Sequence, residues 1–258
     1  FQPERSTQVF ARDGSLLADL YRQNRIWVSL DKVPVMVRNA FIASEDEHFY
    51  THHGIDFGGV LRAAIADWRH EPIQGASTIT QQLARALFLS NEVTISRKIQ
   101  EALLAIEIER YYTKDEILER YINLIYLGAG AYGIQAAAHT YFGTDVWQLT
   151  LGQAAMLAGI VPAPSDYSPS SDVQLARDRQ LHVLDRMVAN GFITRAQAKA
   201  AATAALGLVG ERPVGLQSYR FPYFTTYVTH RLQETFGTQA TFEAGLQVFT
   251  TVDPRMQK

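Results

Sequence analysis

The chain contains no cysteine in its 258 residues. This absence excludes disulfide bonds, thiol nucleophiles and metal sites built on cysteine, and it leaves the redox compartment open. No run of about 18 apolar residues occurs, so the sequence predicts no segment that spans a bilayer. The net charge is only −2, which gives no reason to expect nucleic acid as a partner. With 47% hydrophobic and 19% charged residues, the chain is expected to fold as a globular protein.

Helical periodicity dominates the middle of the chain. From residue 33 to residue 206, apolar residues recur three and four positions apart, as they do on one face of a helix. Asp13-Gly14 predicts a β-hairpin near the start, and alternation over 245–252 predicts a strand near the end. We therefore expect a β linker over 1–32, a mainly α domain over 33–210, and a linker over 211–258 that leads to a further domain.

Residues 45–54 concentrate three acids, three histidines and two aromatic residues. They follow the predicted helix that starts at residue 33, so Glu45 falls at the end of a packed element. A carboxylate there, beside other carboxylates and partly shielded by aromatics, gains proton affinity, as a general base requires. A solvated acidic turn is the alternative, and it is the commoner case for an isolated acidic triplet.

A second candidate segment begins at Gly75-Ala76-Ser77-Thr78 and continues into a helix-forming run. This pattern predicts a capped helix start, where N–H groups and hydroxyls favour an anion, although an ordinary N-cap is commoner. The preceding loop over 69–75 is polar and interrupted by Pro and Gly. We expect it to be poorly ordered without ligand and to move as a gate on substrate binding. The cluster Leu87-Phe88-Leu89 belongs either to the core or to a surface that touches lipid.

The next predicted helix, over 95–111, carries two different faces. One is an apolar stripe composed of Ile95, Ile99, Leu103 and Ile106. The other carries Arg97, Lys98 and Glu101 at spacings of three and four. This charged face is either a surface ion pair of small energetic value or a basic pair that binds phosphate beside a carboxylate.

Four segments, in this order, resemble the signature set of the peptidoglycan glycosyltransferases, family 51 of the glycosyltransferases. They are Glu45-Asp46-x-x-Phe49-x-x-His52-x-Gly54, Gly75-Ala76-Ser77-Thr78-Ile79-Thr80-Gln81-Gln82, Arg97-Lys98-x-x-Glu101 and Lys114-x-x-Ile117-Leu118-Glu119-x-Tyr121-x-Asn123. Each segment alone is weak, but four in order over residues 45–123 are specific, and the resemblance extends over about residues 9–210. One departure is Ala76, where the family usually has a second glycine, and its methyl group narrows the approach of a ligand to the backbone. The closing Thr250-Thr251-Val252-Asp253-Pro254 resembles the junction before the transpeptidase of class A penicillin-binding proteins.

The resemblance implies a mainly α, lysozyme-like fold with a larger lobe and a smaller membrane-facing lobe. It implies that lipid II is polymerised into β-1,4-linked glycan strands, with inversion at the donor sugar and release of undecaprenyl diphosphate. Carried over by residue, it makes Glu45 the general base, with Glu101 beside the leaving-group site. The implied substrate-binding residues are Ser77, Gln82, Arg85, Arg97 and Lys98, and the implied supporting residues are Asp46, His52, Thr78, Tyr121 and Asn123.

The resemblance also implies partners and a location. The expected partners are lipid II, the growing lipid-linked glycan strand, the membrane surface and inhibitors of the moenomycin type, with no nucleic acid. No cofactor is required by the sequence, and a divalent cation (Mg or Mn) near Glu101 is an open expectation. The expected location is the periplasm or the outer face of the bacterial cytoplasmic membrane, with an N-terminal anchor helix that is not part of this chain.

Other functions remain open at this point. A lysozyme-like lytic enzyme also uses a glutamate, but its leaving group carries no diphosphate and does not need Arg97-Lys98. A metal hydrolase built on His48, His52 and His53 lacks the HExxH pattern. Ser29-Leu30-Asp31-Lys32 has the Ser-x-x-Lys spacing of a transpeptidase without its companion motifs. A non-catalytic lipid II-binding module would bind substrate without turnover and would tolerate loss of Glu45.

Overall fold

The computed structural model describes residues 7–20, 24–60, 62, 77–89, 94–209 and 221–256. The predicted gate loop over 69–75 lies outside these residues, so that expectation stays a prediction. Within the described residues the α-helices are α1 (Val35–Glu45), α2 (Ile79–Phe88), α3 (Ile95–Tyr111), α4 (Lys114–Leu124), α5 (Ile134–Phe142), α6 (Leu151–Ile160), α7 (Pro164–Tyr167), α8 (Val173–Ala189), α9 (Arg195–Thr203) and α10 (Pro222–Glu243). The strands are β1 (Thr7–Phe10), β2 (Leu16–Leu20), β3 (Asn24–Arg25), β4 (Ala131–Tyr132) and β5 (Gln247–Phe249), and short 3₁₀ turns cover Leu30–Lys32 and Val146–Gln148. The expected mainly α fold is confirmed.

Threonine side chains start several of these helices. The N-cap residues whose hydroxyl accepts a hydrogen bond from the N3 backbone N–H are Thr78, Thr94, Thr113, Thr150 and Thr194. In four of the five helices a Gln or Glu at N3 also accepts from the N-cap N–H, which completes a capping box. Because such a cap stabilises a helix by about 0.5–2 kcal/mol, these local patterns fix where the helices begin. Thr113 and Thr194 show this pattern directly in the sequence, with Glu116 and Gln197 three positions later, and both form complete capping boxes.

The main core is arranged around α6. Nearly all of this helix is buried, and it packs against both α1 and α8, which also contact each other. Gly159 permits this close packing, because a Cβ atom there would lie 3.0 Å from the backbone of Arg179 in α8. The buried face of α1 includes Val37, Ala40 and Phe41, as its sequence pattern predicts. This packing holds the C-terminal end of α1, and with it Glu45, against the body of the domain.

A smaller set of helices, α2, α3 and α4, packs together beside this core. The buried positions of α3 are Glu101, Ala105 and Ile108, which lie on one face and turn towards these neighbours. The apolar stripe predicted on α3 therefore lies on its exposed side: Ile95 is 84% exposed and Leu103 is 63% exposed. Within the described ranges, no helix has both the length and the apolar character that crossing a membrane requires.

The two ends of the chain meet in a separate three-stranded sheet of order β2-β1-β5. Strand β1 pairs antiparallel with β2 in the predicted hairpin and parallel with β5, with Val9 opposite Val248. Residues from both ends and from α10 share one small core, which consists of Val9, Ala11, Leu17, Ala18, Leu20, Val228, Leu232 and Val252. The predicted terminal strand is confirmed but is shorter than 245–252. The two segments expected as separate linkers thus fold against each other.

Candidate active site

Glu45 is the last residue of α1, and its carboxylate is held from two sides. The side-chain amide of Gln82 donates to Glu45 Oε2 over 2.9 Å, and the hydroxyl of Ser44 donates to Oε1 over 3.1 Å. Tyr121 in turn donates its phenolic hydrogen to Gln82 Oε1 over 3.1 Å. Because an ionised carboxylate can only accept, the amide NH₂ of Gln82 faces Glu45, which leaves the amide oxygen for Tyr121. The carboxylate therefore has a fixed orientation in the folded chain.

The surroundings of Glu45 suit a group that accepts a proton. Burial raises the pKa of this carboxyl above its ordinary value, and the negative charge of Asp46 acts in the same direction. The hydrogen bonds from Gln82 and Ser44 and the positive charge of Arg179 oppose the rise without cancelling it. A glutamate with a raised pKa is a stronger base than one in water, which is the property expected of Glu45 from the sequence.

A compact cationic cluster lies at the start of α3. The ammonium group of Lys98 lies 2.6 Å from Ser77 Oγ and 2.9 Å from Glu101 Oε2, and Arg97 Nη1 lies 3.1 Å from Glu101 Oε1. The Glu101 side chain is only 2% exposed, whereas Lys98 is 49% exposed. This arrangement differs from a solvated surface ion pair, because the carboxylate is buried and holds two cations in place. The exposed half of Lys98 can still contact a ligand.

The same geometry does not fit a divalent cation at Glu101. Each of its carboxylate oxygens is already within 3.1 Å of a Lys or Arg nitrogen, and those charges repel a metal ion. Among the residues the structure describes, no group of three or more His, Asp or Glu side chains is arranged to hold a metal. We therefore assign no step to a metal here. The metal hydrolase based on His48, His52 and His53 finds no support in the described residues either.

The start of α2 is fixed by the turn that follows α1. Thr78 caps α2 and donates its hydroxyl hydrogen to the carbonyl oxygen of Gly54 over 2.7 Å. Gly54 has φ = +88°, and a Cβ atom there would lie 2.9 Å from the backbone of Ala105 in α3. Only glycine therefore fits at this position of the turn, against the backbone of α3. The N–H of Ile79 donates to Asp46 Oδ2 over 2.9 Å. The predicted capped start is confirmed, and this first N–H is occupied within the protein.

The remaining predicted site residues make contacts of different kinds. Asp46 and His52 form a buried pair, with Nε2 2.8 Å from Oδ2. Arg85 lies close enough to Tyr121 for its charge to oppose the rise of that phenol's pKa, which burial and the nearby Glu45 raise well above the ordinary value. Asn123 serves the fold: it is fully buried, and its amide bonds both the N–H (2.9 Å) and the carbonyl (2.7 Å) of Val28.

Two arginines of α8 near Glu45 were missed by the sequence reasoning. Arg186 donates to the carbonyl of Ala43 in the last turn of α1 over 3.2 Å, and its Nη2 lies 3.0 Å from Glu47 Oε2. The charge of Arg179 reaches Glu45 and lowers the pKa of its carboxyl. The two arginines are seven positions apart, two helical turns, so they share one face. That spacing was the available signal, but nothing in it indicates the partner helix.

The cluster at the end of α2 is split between the core and the surface. Phe88 is 58% exposed, whereas Leu87 is partly buried and packs against the main core. The cluster therefore belongs partly to the core and partly to the surface, the two alternatives that the sequence left open. Contact with lipid stays a prediction.

Comparison with known proteins agrees with the mainly α fold. A family model described as transglycosylase matches residues 13–188. The chain belongs to the transglycosylase family, and the predicted enzyme class, peptidoglycan glycosyltransferase, is confirmed.

Its relatives include penicillin-binding proteins 1A. The protein of that name from Aquifex aeolicus (strain VF5) is 43% identical over 257 residues, which cover 99% of this chain and 35% of the relative. The one from Escherichia coli (strain K12) is 44% identical over 252 residues, which cover 97% of this chain and 29% of the relative. The crystal structure of penicillin-binding protein 1A from Haemophilus influenzae matches all of this chain and 28% of that chain, with a TM-score of 0.57 and 25% identity. This chain thus spans about a third of the length of the curated relatives it matches.

Proposed function

We propose that this chain polymerises lipid II into β-1,4-linked glycan strands, with inversion at the donor sugar and release of undecaprenyl diphosphate. One observation carries the proposal: the start of α2 links a base to a cationic cluster. Gln82 of this helix binds Glu45, and Ser77, five positions earlier, binds Lys98. The proposed base, Glu45, and the proposed diphosphate-binding cation, Lys98, therefore contact opposite ends of the short segment 77–82.

In the proposed reaction Glu45 accepts the proton of the acceptor's 4-hydroxyl group. The hydroxyl oxygen forms a bond to the anomeric carbon of the donor sugar, and the bond from that carbon to the diphosphate oxygen breaks. A sugar hydroxyl is a poor nucleophile near neutral pH, so a positioned carboxylate is needed in the transition state. Gln82 and Tyr121 orient the carboxylate before the substrate arrives, and the proton leaves Glu45 to solvent after the transfer.

The leaving diphosphate takes the electron pair of the broken bond. Lys98 and Arg97 stabilise its developing negative charge, and Ser77 offers a further hydrogen bond. Glu101 holds the two cations on the side where the leaving group departs, because it pairs with both of them from a buried position. Arg85 is proposed to contact the same diphosphate. This cluster favours a transferase over a lytic enzyme, whose leaving group is a sugar without phosphate.

We further propose that the domain works at the outer face of the bacterial cytoplasmic membrane. Lipid II carries a long hydrocarbon chain, so its reacting sugar stays near the bilayer surface. The exposed Phe88 and the exposed apolar stripe of α3 provide apolar surface that suits such contact. A phosphoglycolipid inhibitor of the moenomycin type would occupy the same cationic cluster through its phosphate.

Polymerisation of purified lipid II in detergent, followed by gel separation of the glycan product, tests this proposal. We expect polymer from the wild-type chain and from Glu107→Gln, which alters an exposed carboxylate of α3. From Glu45→Gln we expect about a hundredth of the wild-type polymer or less in the same time. A lytic enzyme would instead shorten preformed glycan, and a binding module would retain lipid II without product under either variant. Either of these outcomes would overturn the proposed reaction.

A further inference from the structure

A closed ring of hydrogen bonds starts at Asp46, the residue that follows Glu45 in the chain. Asp46 Oδ2 accepts from the N–H of Ile79 over 2.9 Å and lies 2.8 Å from His52 Nε2. The other ring nitrogen, His52 Nδ1, lies 3.4 Å from the ammonium group of Lys114, which also donates to Glu109 Oε1 over 2.7 Å. Thr80 closes the ring, because its hydroxyl donates to the same Glu109 oxygen over 2.6 Å. Thr80 directly follows Ile79, so the ring starts and ends on the first turn of α2.

The donors and acceptors of the ring allow one arrangement of the histidine. The ammonium group of Lys114 can only donate, so Nδ1 of His52 must accept from it. The carboxylate of Asp46 can only accept a hydrogen bond, so Nε2 of His52 must carry a hydrogen and donate it to Asp46. Lys114 and Asp46 together therefore select the His52 tautomer with hydrogen on Nε2, and His52 in turn orients Asp46, the residue next to Glu45.

The ring is buried and joins four separate elements. The side chains of Asp46, His52 and Glu109 are 3%, 6% and 6% exposed. They connect the end of α1, the start of α2, the last turns of α3 and the start of α4. Buried charges of this kind tolerate little rearrangement, because a group that loses its partner is left unpaired away from water. The ring thus fixes the end of α1, with Glu45, relative to the α2 turn that leads to Gln82.

We propose that Thr80, Glu109 and Lys114 are positioning residues for the transfer reaction. They do not touch substrate; they hold Glu45 at the distance from Gln82 and from the cationic cluster that the reaction needs. This inference rests on the proposed role of Glu45 as the base. Misplacement of a reacting group by about 1 Å can cost about a hundredfold in rate, so the ring affects turnover more than substrate affinity.

A matched pair of variants at Thr80 separates positioning from packing. Thr80→Val keeps the shape of the side chain and removes only the hydroxyl that donates to Glu109. Thr80→Ser keeps the hydroxyl and removes only a methyl group. With lipid II as substrate, we expect Thr80→Val to lower kcat at least about tenfold with KM within about twofold of wild type. We expect Thr80→Ser to retain most of the wild-type kcat.

Glu109→Gln provides an independent variant, with Glu107→Gln as its control on the same helix. The Glu109 amide keeps the size of the side chain but loses the charge that holds Lys114. Glu107 is 49% exposed and pairs only at the surface with Arg110, so its variant should keep wild-type kcat and KM. Glu109→Gln should lower kcat without raising KM, at temperatures well below the melting point of each variant.

Folding is monitored by thermal melting, and kcat is expressed per folded enzyme. Wild-type kcat in folded Thr80→Val or folded Glu109→Gln would overturn the positioning role, as would an equal loss in Thr80→Ser. If Thr80→Val does not fold, Glu109→Gln decides the question by the same comparison. If Glu45→Gln polymerises lipid II at a near wild-type rate, the assignment of the base has failed, and that result is distinct from any result at Thr80 or Glu109.

Discussion

Replacing Lys98 by alanine tests whether the cationic cluster serves the reaction or only the fold. The Lys98 side chain is about half exposed, so its ion pair with Glu101 is screened by solvent. Glu101 also keeps its second cation, Arg97, at 3.1 Å after the change, so no buried charge is left alone. From these contacts we expect Lys98→Ala to lower the free energy of unfolding by at most about 1 kcal/mol.

The expected effect on catalysis is much larger. If Lys98 stabilises the departing diphosphate, its loss resembles removal of one preorganised donor to a developing anion, about 2.7–4 kcal/mol of barrier, or a factor of about 10² to 10³ in kcat. The two expectations differ in both size and kind, so a single variant separates them.

The assay combines polymer formation from lipid II, thermal melting and binding of a phosphoglycolipid of the moenomycin type. The matched control is Arg110→Ala, which removes a cation from the same helix whose partner, Glu107, is 3.1 Å away and exposed. We expect normal turnover and normal inhibitor binding for Arg110→Ala, and loss of both for Lys98→Ala with a nearly unchanged melting temperature. Unchanged inhibitor affinity and turnover in a folded Lys98→Ala protein would refute the leaving-group role.

Three further predictions concern Glu45, the end of α2 and Gly54. Glu45→Gln should lower turnover by about a hundredfold to ten-thousandfold. Since burial raises the pKa of Glu45, wild-type activity should rise with pH through a midpoint above the ordinary glutamate value of 4.5. A midpoint at or below 4.5 would contradict the burial argument. Because the pKa of Glu45 is raised in the folded protein, its ionisation lowers the stability of the wild type as pH rises through that pKa. Glu45→Gln should therefore melt at or above the wild-type temperature near neutral pH, and melting curves in acid should show no such difference. Because Phe88 is exposed, Phe88→Ser should change the free energy of unfolding by only about 0.5 kcal/mol but weaken liposome binding. Because Leu87 packs against the core, Leu87→Ser should lower the melting temperature. A large stability loss in Phe88→Ser with unaltered liposome binding would contradict the membrane-contact hypothesis for Phe88. Gly54→Ala should destabilise the fold by about 1–3 kcal/mol in denaturant titrations because of its positive φ and the adjacent α3 backbone, and a smaller change would mean that the turn can relax.

The sequence alone determined the parts of this protein that depend on short-range interactions. Helix caps act between residues three positions apart, so Thr113 and Thr194 could be recognised as helix starts without knowledge of the fold. Apolar periodicity located the helices for the same reason, because it reflects a local repeat. The Glu45 and Arg97-Lys98 segments were recognisable by residue type and spacing, and the family that they indicate is the one confirmed by comparison.

Only the tertiary structure decided which faces are buried and which distant residues meet. The apolar stripe of α3 has the periodicity of a buried face, yet α2 and α4 pack on the face of Glu101 and Ala105 and leave the stripe exposed. Arg186 meets Ala43 across 143 positions of sequence, and Asn123 meets Val28 across 95. The hydrogen-bond ring that starts at Asp46 likewise joins the ends of four helices. Periodicity and spacing specify a direction from one helix but not the partner in that direction, which is chosen by the packing of the whole core.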